Sequence, residues 1–72
     1  MKMKNDELSE LLTKKEMEIL KLVAYGKHSN EIATKLNLST EAIKIYINSI
    51  LKKMSVSNRV QMAIKAIRED PF

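Results

Sequence analysis

The sequence predicts an all-α domain, and three observations support that fold class. The chain of 72 residues contains one glycine and one proline, and its abundant leucine, isoleucine, lysine, glutamate and alanine favour helix over sheet. Its apolar residues recur every three or four positions, which is the spacing of a helix face. Capping residues divide that pattern into four segments. A chain this short buries only about 60% of the surface that its unfolded form exposes, so we expect one compact core.

The first helix is predicted over residues 14–25. Thr13 can cap its start, and Glu16, three residues later, completes a capping box. Gly26 supplies the left-handed residue that commonly ends a helix. The apolar positions between these signals recur at helical intervals: Met17, Ile19, Leu20, Leu22, Val23 and Ala24. This segment carries the strongest local signal in the chain.

A helix-turn-helix is predicted in the middle of the chain. Residues 28–30 offer polar capping groups for a short second helix. The apolar face of that helix consists of Ile32, Ala33 and Leu36. Asn37 tolerates a left-handed backbone conformation, and Ser39 can cap the helix that follows. The connecting turn is therefore about three residues long, as in a helix-turn-helix.

The third helix is predicted over residues 40–54, with one apolar and one polar side. Its core-facing positions are Ile43, Ile47, Ile50, Leu51 and Met54. Its outward-facing positions are Glu41, Lys44, Ile45, Asn48 and Lys52. The outer side is therefore mostly polar and basic.

A fourth helix is predicted over residues 58–68. The positions expected to face the core are Val60, Ala63, Ile64 and Ile67. Met62 and Ala66 lie off that face, and this second apolar strip predicts a contact with another subunit. Arg59, at the start of the helix, is expected to brace the fold.

Charge and composition restrict the function. Residues 21–60 carry seven basic and two acidic side chains, a net +5. This is typical of a domain that binds a polyanion, although a lysine-rich surface also serves solubility alone. With no cysteine, a single histidine (His28) and a single glycine, the chain offers neither a metal site nor a phosphate-binding loop. We therefore predict no enzyme activity, no cofactor and no small-molecule ligand.

The termini and the distribution of apolar residues predict a cytoplasmic protein. No apolar run approaches the ~18 residues of a membrane span. The N-terminal MKMKNDELSE lacks the apolar core of a signal peptide. We expect the folded domain over residues 12–68, between an N-terminal arm of residues 1–11 and a C-terminal tail of residues 69–72.

A set of residues that runs through all four predicted helices carries a family resemblance. They are Leu12-Thr13-Lys14-Lys15-Glu16, Ile19-Leu20, Ala24, Gly26, Glu31-Ile32-Ala33, Leu36, Leu38-Ser39, Ile43-Lys44, Ile50, Lys53-Met54, Val56, Arg59 and Ala63. Together they closely resemble the LuxR-type helix-turn-helix domain over residues 12–67. The match is specific because the capping signature, the turn and two further helices follow in the correct order and spacing. The chain looks like the members that consist of this domain alone, such as the spore-coat regulator GerE of bacilli.

The resemblance implies a transcriptional regulator that binds double-stranded DNA, with a three-helix core and a fourth, dimerisation helix. The third helix would enter the major groove, whose width accepts a helix. Carried over position by position, the DNA-binding residues are Thr40, Glu41, Lys44, Ile45 and Asn48 at bases or nearby backbone, with Lys52 and Lys53 at phosphates. Residues 58–68 would join two chains into a homodimer, with the strip of Met62 and Ala66 as the expected contact.

Four positions depart from the family pattern. Ala42 stands in place of a common threonine, Tyr46 in place of a common histidine, and Ile45 is apolar where the family is often polar. His28 stands where a capping serine or threonine is usual, so we expect Ser29 to provide the cap. The departures on the third helix motivate an alternative, an interaction protein that uses the same fold to bind and control another regulator. Its binding surface would be the face of the fourth helix or the face of Ile45 and Tyr46.

Overall fold

The computed structural model describes residues 10–69, without the side chain of Glu69, and the fold consists of four helices. α1 spans Lys14–Ala24, α2 Ser29–Leu36, α3 Thr40–Met54 and α4 Arg59–Glu69. No strand occurs within residues 10–69. The predicted all-α class and the order of the four helices are therefore confirmed.

The ends of the chain were predicted to be an arm and a tail. Residues 1–9 and 70–72, which make up most of both, lie outside the described residues. Glu10 and Leu11 are helical, and Leu12 is buried. Within the part of the chain that the structure describes, no helix has the length and apolar character needed to cross a membrane.

The predicted capping box fixes the start of α1. The Thr13 hydroxyl accepts a hydrogen bond from the Glu16 amide at 3.1 Å, and the Glu16 carboxylate accepts one from the Thr13 amide at 2.8 Å. Both bonds satisfy amides that would otherwise lack a partner at a helix start. After the C-terminal end of α1, Gly26 has the predicted left-handed conformation, with a φ of 87°.

The start of α2 differs from the prediction. His28, rather than Ser29, occupies the capping position, and Ser29 is the first residue of the helix. The Glu31 carboxylate accepts a hydrogen bond from the His28 backbone amide at 2.8 Å. The Glu31 amide, which a serine cap would have bound, donates instead to Oδ1 of Asn30 at 3.0 Å.

The turn between α2 and α3 has the predicted form. Asn37 is left-handed, with a φ of 58°. The Leu38 amide donates to the Ala33 carbonyl at 2.8 Å and closes the end of α2. The Ser39 hydroxyl accepts from the Ala42 amide at 3.0 Å and begins α3. α2 and α3 therefore form a helix-turn-helix.

The core lies between α1 and the other helices. α1 contacts both α3 and α4, while α2 packs on α3. The buried hydrophobic residues are Leu12, Ile19, Leu20, Leu22, Val23, Ile32, Ala33, Ile43, Ile47, Ile50, Met54, Met62 and Ala66. At about 1.5–3 kcal/mol for each large aliphatic side chain that is fully buried, this core is the main source of stability.

α4 is rotated relative to the sequence-based prediction. Met62 and Ala66 are both 0% exposed, whereas Val60, Ile64 and Ile67 are 66%, 49% and 60% exposed. The predicted subunit contact through Met62 and Ala66 is therefore wrong, because both side chains belong to the core. The predicted inward orientation of Val60, Ile64 and Ile67 is also wrong, because these three side chains are exposed.

Long-range hydrogen bonds explain this rotation. Arg59 donates to the Lys27 carbonyl in the loop between α1 and α2 and to the Ser29 hydroxyl at the start of α2. Lys65 donates to the carbonyl of Met54, the last residue of α3, at 2.8 Å. At about 100° per residue, Arg59 and Lys65 flank Met62 and Ala66 on the helix surface, so these bonds turn that side towards the core.

Candidate nucleic-acid interface

One side of α3 exposes five of the side chains predicted to contact DNA. Glu41, Lys44, Ile45, Asn48 and Lys52 are all exposed. At about 100° per residue, they fall within roughly 100° of the helix circumference, and they extend about 16 Å along its axis. We name these five residues the reading face. The prediction that they share the outward side of one helix is confirmed.

The opposite side of α3 holds the helix in place. Ile43 and Ile50 are 0% exposed, Ile47 is 7% exposed, and Met54 is 1% exposed. The Ser39 cap fixes the first turn of α3, and Lys65 binds its last carbonyl. The reading face is therefore displayed on a rigid element, which suits side chains that must meet a partner in a defined geometry.

The N-terminal end of α3 carries a hydroxyl and a negative charge. Thr40 is half-buried, and its hydroxyl donates to the Glu41 carboxylate at 3.3 Å. A carboxylate is stabilised at this end because the helix dipole is positive there. The same positive end attracts phosphate, but the charge of Glu41 opposes the approach of a second anion.

Lys53 lies outside the reading face, and its ammonium group is engaged in the fold. Its Nζ atom lies 2.8 Å from Oε1 of Glu16, a residue that is only 3% exposed. The other oxygen of Glu16 accepts a hydrogen bond from the Ser49 hydroxyl at 2.8 Å. The phosphate contact of Lys53 stays a prediction. A movement of its ammonium group away from Glu16 would leave the buried carboxylate without this partner.

The electrostatic environment keeps Glu16 ionised. Burial by itself raises the pKa of its carboxyl group, but hydrogen bonds from Lys53, the Thr13 amide and Ser49, together with the charge of Lys53, lower the pKa from 4.5 to about 2. The sequence pattern identified Glu16 only as a capping residue. Because 37 positions separate Glu16 from Lys53, no local sequence pattern predicts their contact.

Other basic residues of the central segment also contribute less to this surface than the net charge suggests. Of the seven basic residues between positions 21 and 60, only Lys44 and Lys52 belong to the reading face. Arg59 donates to the Ser29 hydroxyl at 3.0 Å and to the Lys27 carbonyl. The prediction that Arg59 braces the fold is therefore confirmed.

Two of the departures from the family pattern lie beside the reading face rather than on it. Ala42 and Tyr46 are half-buried, and Tyr46 packs against the hydrophobic core. These two departures therefore change side chains that lie beside the exposed surface, not the exposed surface itself. Ile45 is the departure that changes the surface itself, because it is 70% exposed.

A short helix, a tight turn and a longer helix with one exposed polar side define the class of helix-turn-helix DNA-binding domains. Comparison with known proteins identifies the family within this class. Residues 10–66 match the GerE model, which describes bacterial regulatory proteins of the luxR family. The chain belongs to this family.

The chain is also similar to individual bacterial regulators. It is 40% identical over 63 residues to YxjL of Bacillus subtilis, an uncharacterised transcriptional regulatory protein. It is 39% identical over 67 residues to the response regulator protein VraR of Staphylococcus aureus and of Staphylococcus epidermidis. The similarity covers 88% and 93% of this chain, but only 29% of YxjL and 32% of VraR. The chain therefore spans about a third of the length of these relatives.

Proposed function

We propose that the chain is a transcriptional regulator that binds specific sequences of double-stranded DNA as a homodimer, with α3 in the major groove. The reading face carries this proposal, because a helix fits the major groove and presents its outward side chains to base edges there. Membership of the luxR family supports the same function. Since bacterial chromosomal DNA lies in the cytoplasm, we propose that the chain acts in that compartment.

Each polar position of the interface has a distinct chemical role in this proposal. Lys44 donates to the N7 and O6 acceptors of guanine, and Asn48 forms a bidentate pair with adenine. Lys52, about three turns after Glu41, and the hydroxyl of Thr40 contact the backbone. Glu41 accepts from the amino group of cytosine and repels phosphates, so it contributes to specificity more than to affinity.

The exposed apolar strip of α4 is the proposed dimer contact. Val60, Ile64 and Ile67 have the spacing of one helix face and are 66%, 49% and 60% exposed. Two α4 helices packed strip to strip would bury these side chains in a two-fold symmetric contact. A symmetric dimer of this kind reads two half-sites about one helical turn, or ~34 Å, apart.

Selection of bound sequences from random duplex DNA tests the proposal. We expect a two-fold symmetric site whose half-sites lie about one helical turn apart. Lys44→Ala should weaken binding to that site by about 1–3 kcal/mol if Lys44 makes a bidentate contact with guanine. Lys35→Ala is the matched control, because Lys35 is an exposed lysine on α2. It should leave the affinity nearly unchanged.

The salt concentration separates this proposal from its alternative. Phosphate contacts make DNA affinity rise steeply as salt is lowered, so a gel-shift titration at two salt concentrations is informative. If no duplex is retained at low salt, DNA binding is rejected. The alternative would then be favoured, an interaction protein that binds and controls another regulator through the exposed strip of α4.

A further inference from the structure

Ile45 is the most exposed large hydrophobic side chain within residues 10–69, at 70%. Its neighbours on the reading face are polar: Glu41 lies one turn before it, Lys44 beside it, and Asn48 one turn after it. An aliphatic side chain in water forgoes the stabilisation that burial would give. A single apolar group in a polar surface therefore fits a partner that presents an equally small apolar group among polar ones.

We infer that Ile45 contacts the 5-methyl group of a thymine and thereby makes thymine the preferred base at one position in each half-site. This inference rests on the proposed function, since it requires α3 to lie in the major groove. The thymine methyl group is the apolar group that base pairs present in that groove, where the other groups are hydrogen-bond donors and acceptors. An aliphatic side chain placed against one of those would remove it from water without replacing its hydrogen bond.

The local structure of α3 suits this contact. Ala42 and Ser49 lie on the side of Ile45 away from Lys44. Alanine is small, and the Ser49 hydroxyl is directed to Glu16 at 2.8 Å. A β-branched side chain also has one strongly preferred χ1 rotamer in a helix, so it loses little rotational freedom when it is fixed. Ile45 therefore approaches the groove as a rigid apolar group without a polar competitor on that side.

A docked protein would fit this position less well than a methyl group. Apolar surfaces that bind proteins extend over an area on the order of several hundred Å². Ile45 stands alone among the polar members of the reading face, between Glu41 and Asn48 along the helix. The larger apolar strip of the domain belongs to α4, so Ile45 adds specificity for a base rather than a second protein contact.

Removal of single methyl groups from the DNA tests this inference. In the duplex obtained by selection, each thymine is replaced in turn by deoxyuridine, which pairs with adenine in the same way but lacks the 5-methyl group. For the wild-type chain, we expect the dissociation constant to rise about fourfold at one position in each half-site. This factor corresponds to the ~0.8 kcal/mol of one buried methylene-sized group. For Ile45→Ala, the same replacement should have no effect.

The remaining thymines of the duplex are internal controls, because their methyl groups should affect both proteins equally. Ile45→Val, which keeps a branched aliphatic side chain, should retain part of the methyl effect. If both proteins bind the site and respond equally to every deoxyuridine, the inference is overturned while DNA binding stands. If selection recovers no duplex at all, the inference and the proposed function both fail.

Discussion

Replacement of Glu16 by glutamine removes the charge of the buried carboxylate that joins α1 to α3, but keeps the size of the side chain. The pKa of Glu16 in the folded chain is about 2, against an ordinary value of 4.5. At ~1.4 kcal/mol per pKa unit, this difference contributes about 3 kcal/mol to folding at neutral pH. A domain of this size has a total stability of about 4–11 kcal/mol. We therefore expect Glu16→Gln to remove a large share of it.

The direction of the pKa shift also fixes how stability depends on pH. Because the folded pKa lies below the unfolded one, the unfolded chain takes up the proton first as the pH falls. The contribution of Glu16 is therefore complete well above pH 4.5 and is lost as the pH falls towards about 2. Urea denaturation at a series of pH values, followed by circular dichroism, measures it. The difference between the wild type and Glu16→Gln should shrink over this interval.

Glu18→Gln is the matched control, two residues further along α1. Glu18 lies 3.6 Å from Lys15 in an exposed pair on the same helix. Such a pair contributes no more than about 0.5 kcal/mol, because solvent screens it. A loss below about 1 kcal/mol for Glu16→Gln, or a difference from wild type that stays constant between pH 7 and pH 2, would refute the reasoning from the buried pair.

Three further predictions concern α4 and the start of α3. Met62→Ala should lower the free energy of unfolding, measured by urea denaturation, by about 2–5 kcal/mol because it leaves a cavity in the core. Val60→Ala, at an exposed position, should lower it by less than about 1 kcal/mol. Equal losses would contradict the rotation of α4. Ile64→Glu should leave the monomer folded but abolish the dimer in analytical ultracentrifugation, and a dimer that persists would reject the α4 strip as the contact. Ser39→Ala should destabilise the domain by about 1 kcal/mol through loss of the α3 cap, and an unchanged melting temperature would speak against that cap.

The parts of the fold that the sequence predicts best depend on residues close together in the chain. Thr13 and Glu16 are three positions apart, and their capping box is present as predicted. Asn37 and Ser39 mark the turn before α3 for the same reason, since a left-handed residue and a capping hydroxyl act on their immediate neighbours. The reading face follows from helical periodicity, because the two sides of α3 differ strongly in polarity.

The error at the start of α2 is local, whereas the error on α4 concerns contacts between residues far apart in the chain. α4 has two apolar strips, and the branched residues Val60, Ile64 and Ile67 make the exposed strip look more like a core face than the buried one. Its rotation depends on bonds that Arg59 makes across the fold, which periodicity does not encode. In the sequence, Lys53 likewise resembles an unpaired surface lysine, whereas in the fold its ammonium group binds the Glu16 carboxylate.

The most direct test of the central claim, that the reading face of α3 contacts base edges, is a measurement of intermolecular nuclear Overhauser effects. Isotope-filtered NMR of the labelled chain bound to its selected duplex detects protein side chains close to major-groove protons. The structure predicts such contacts from Lys44, Ile45 and Asn48, and none from the exposed side chains of α2. Intermolecular contacts from α2 or α4, without any from α3, would contradict the claim.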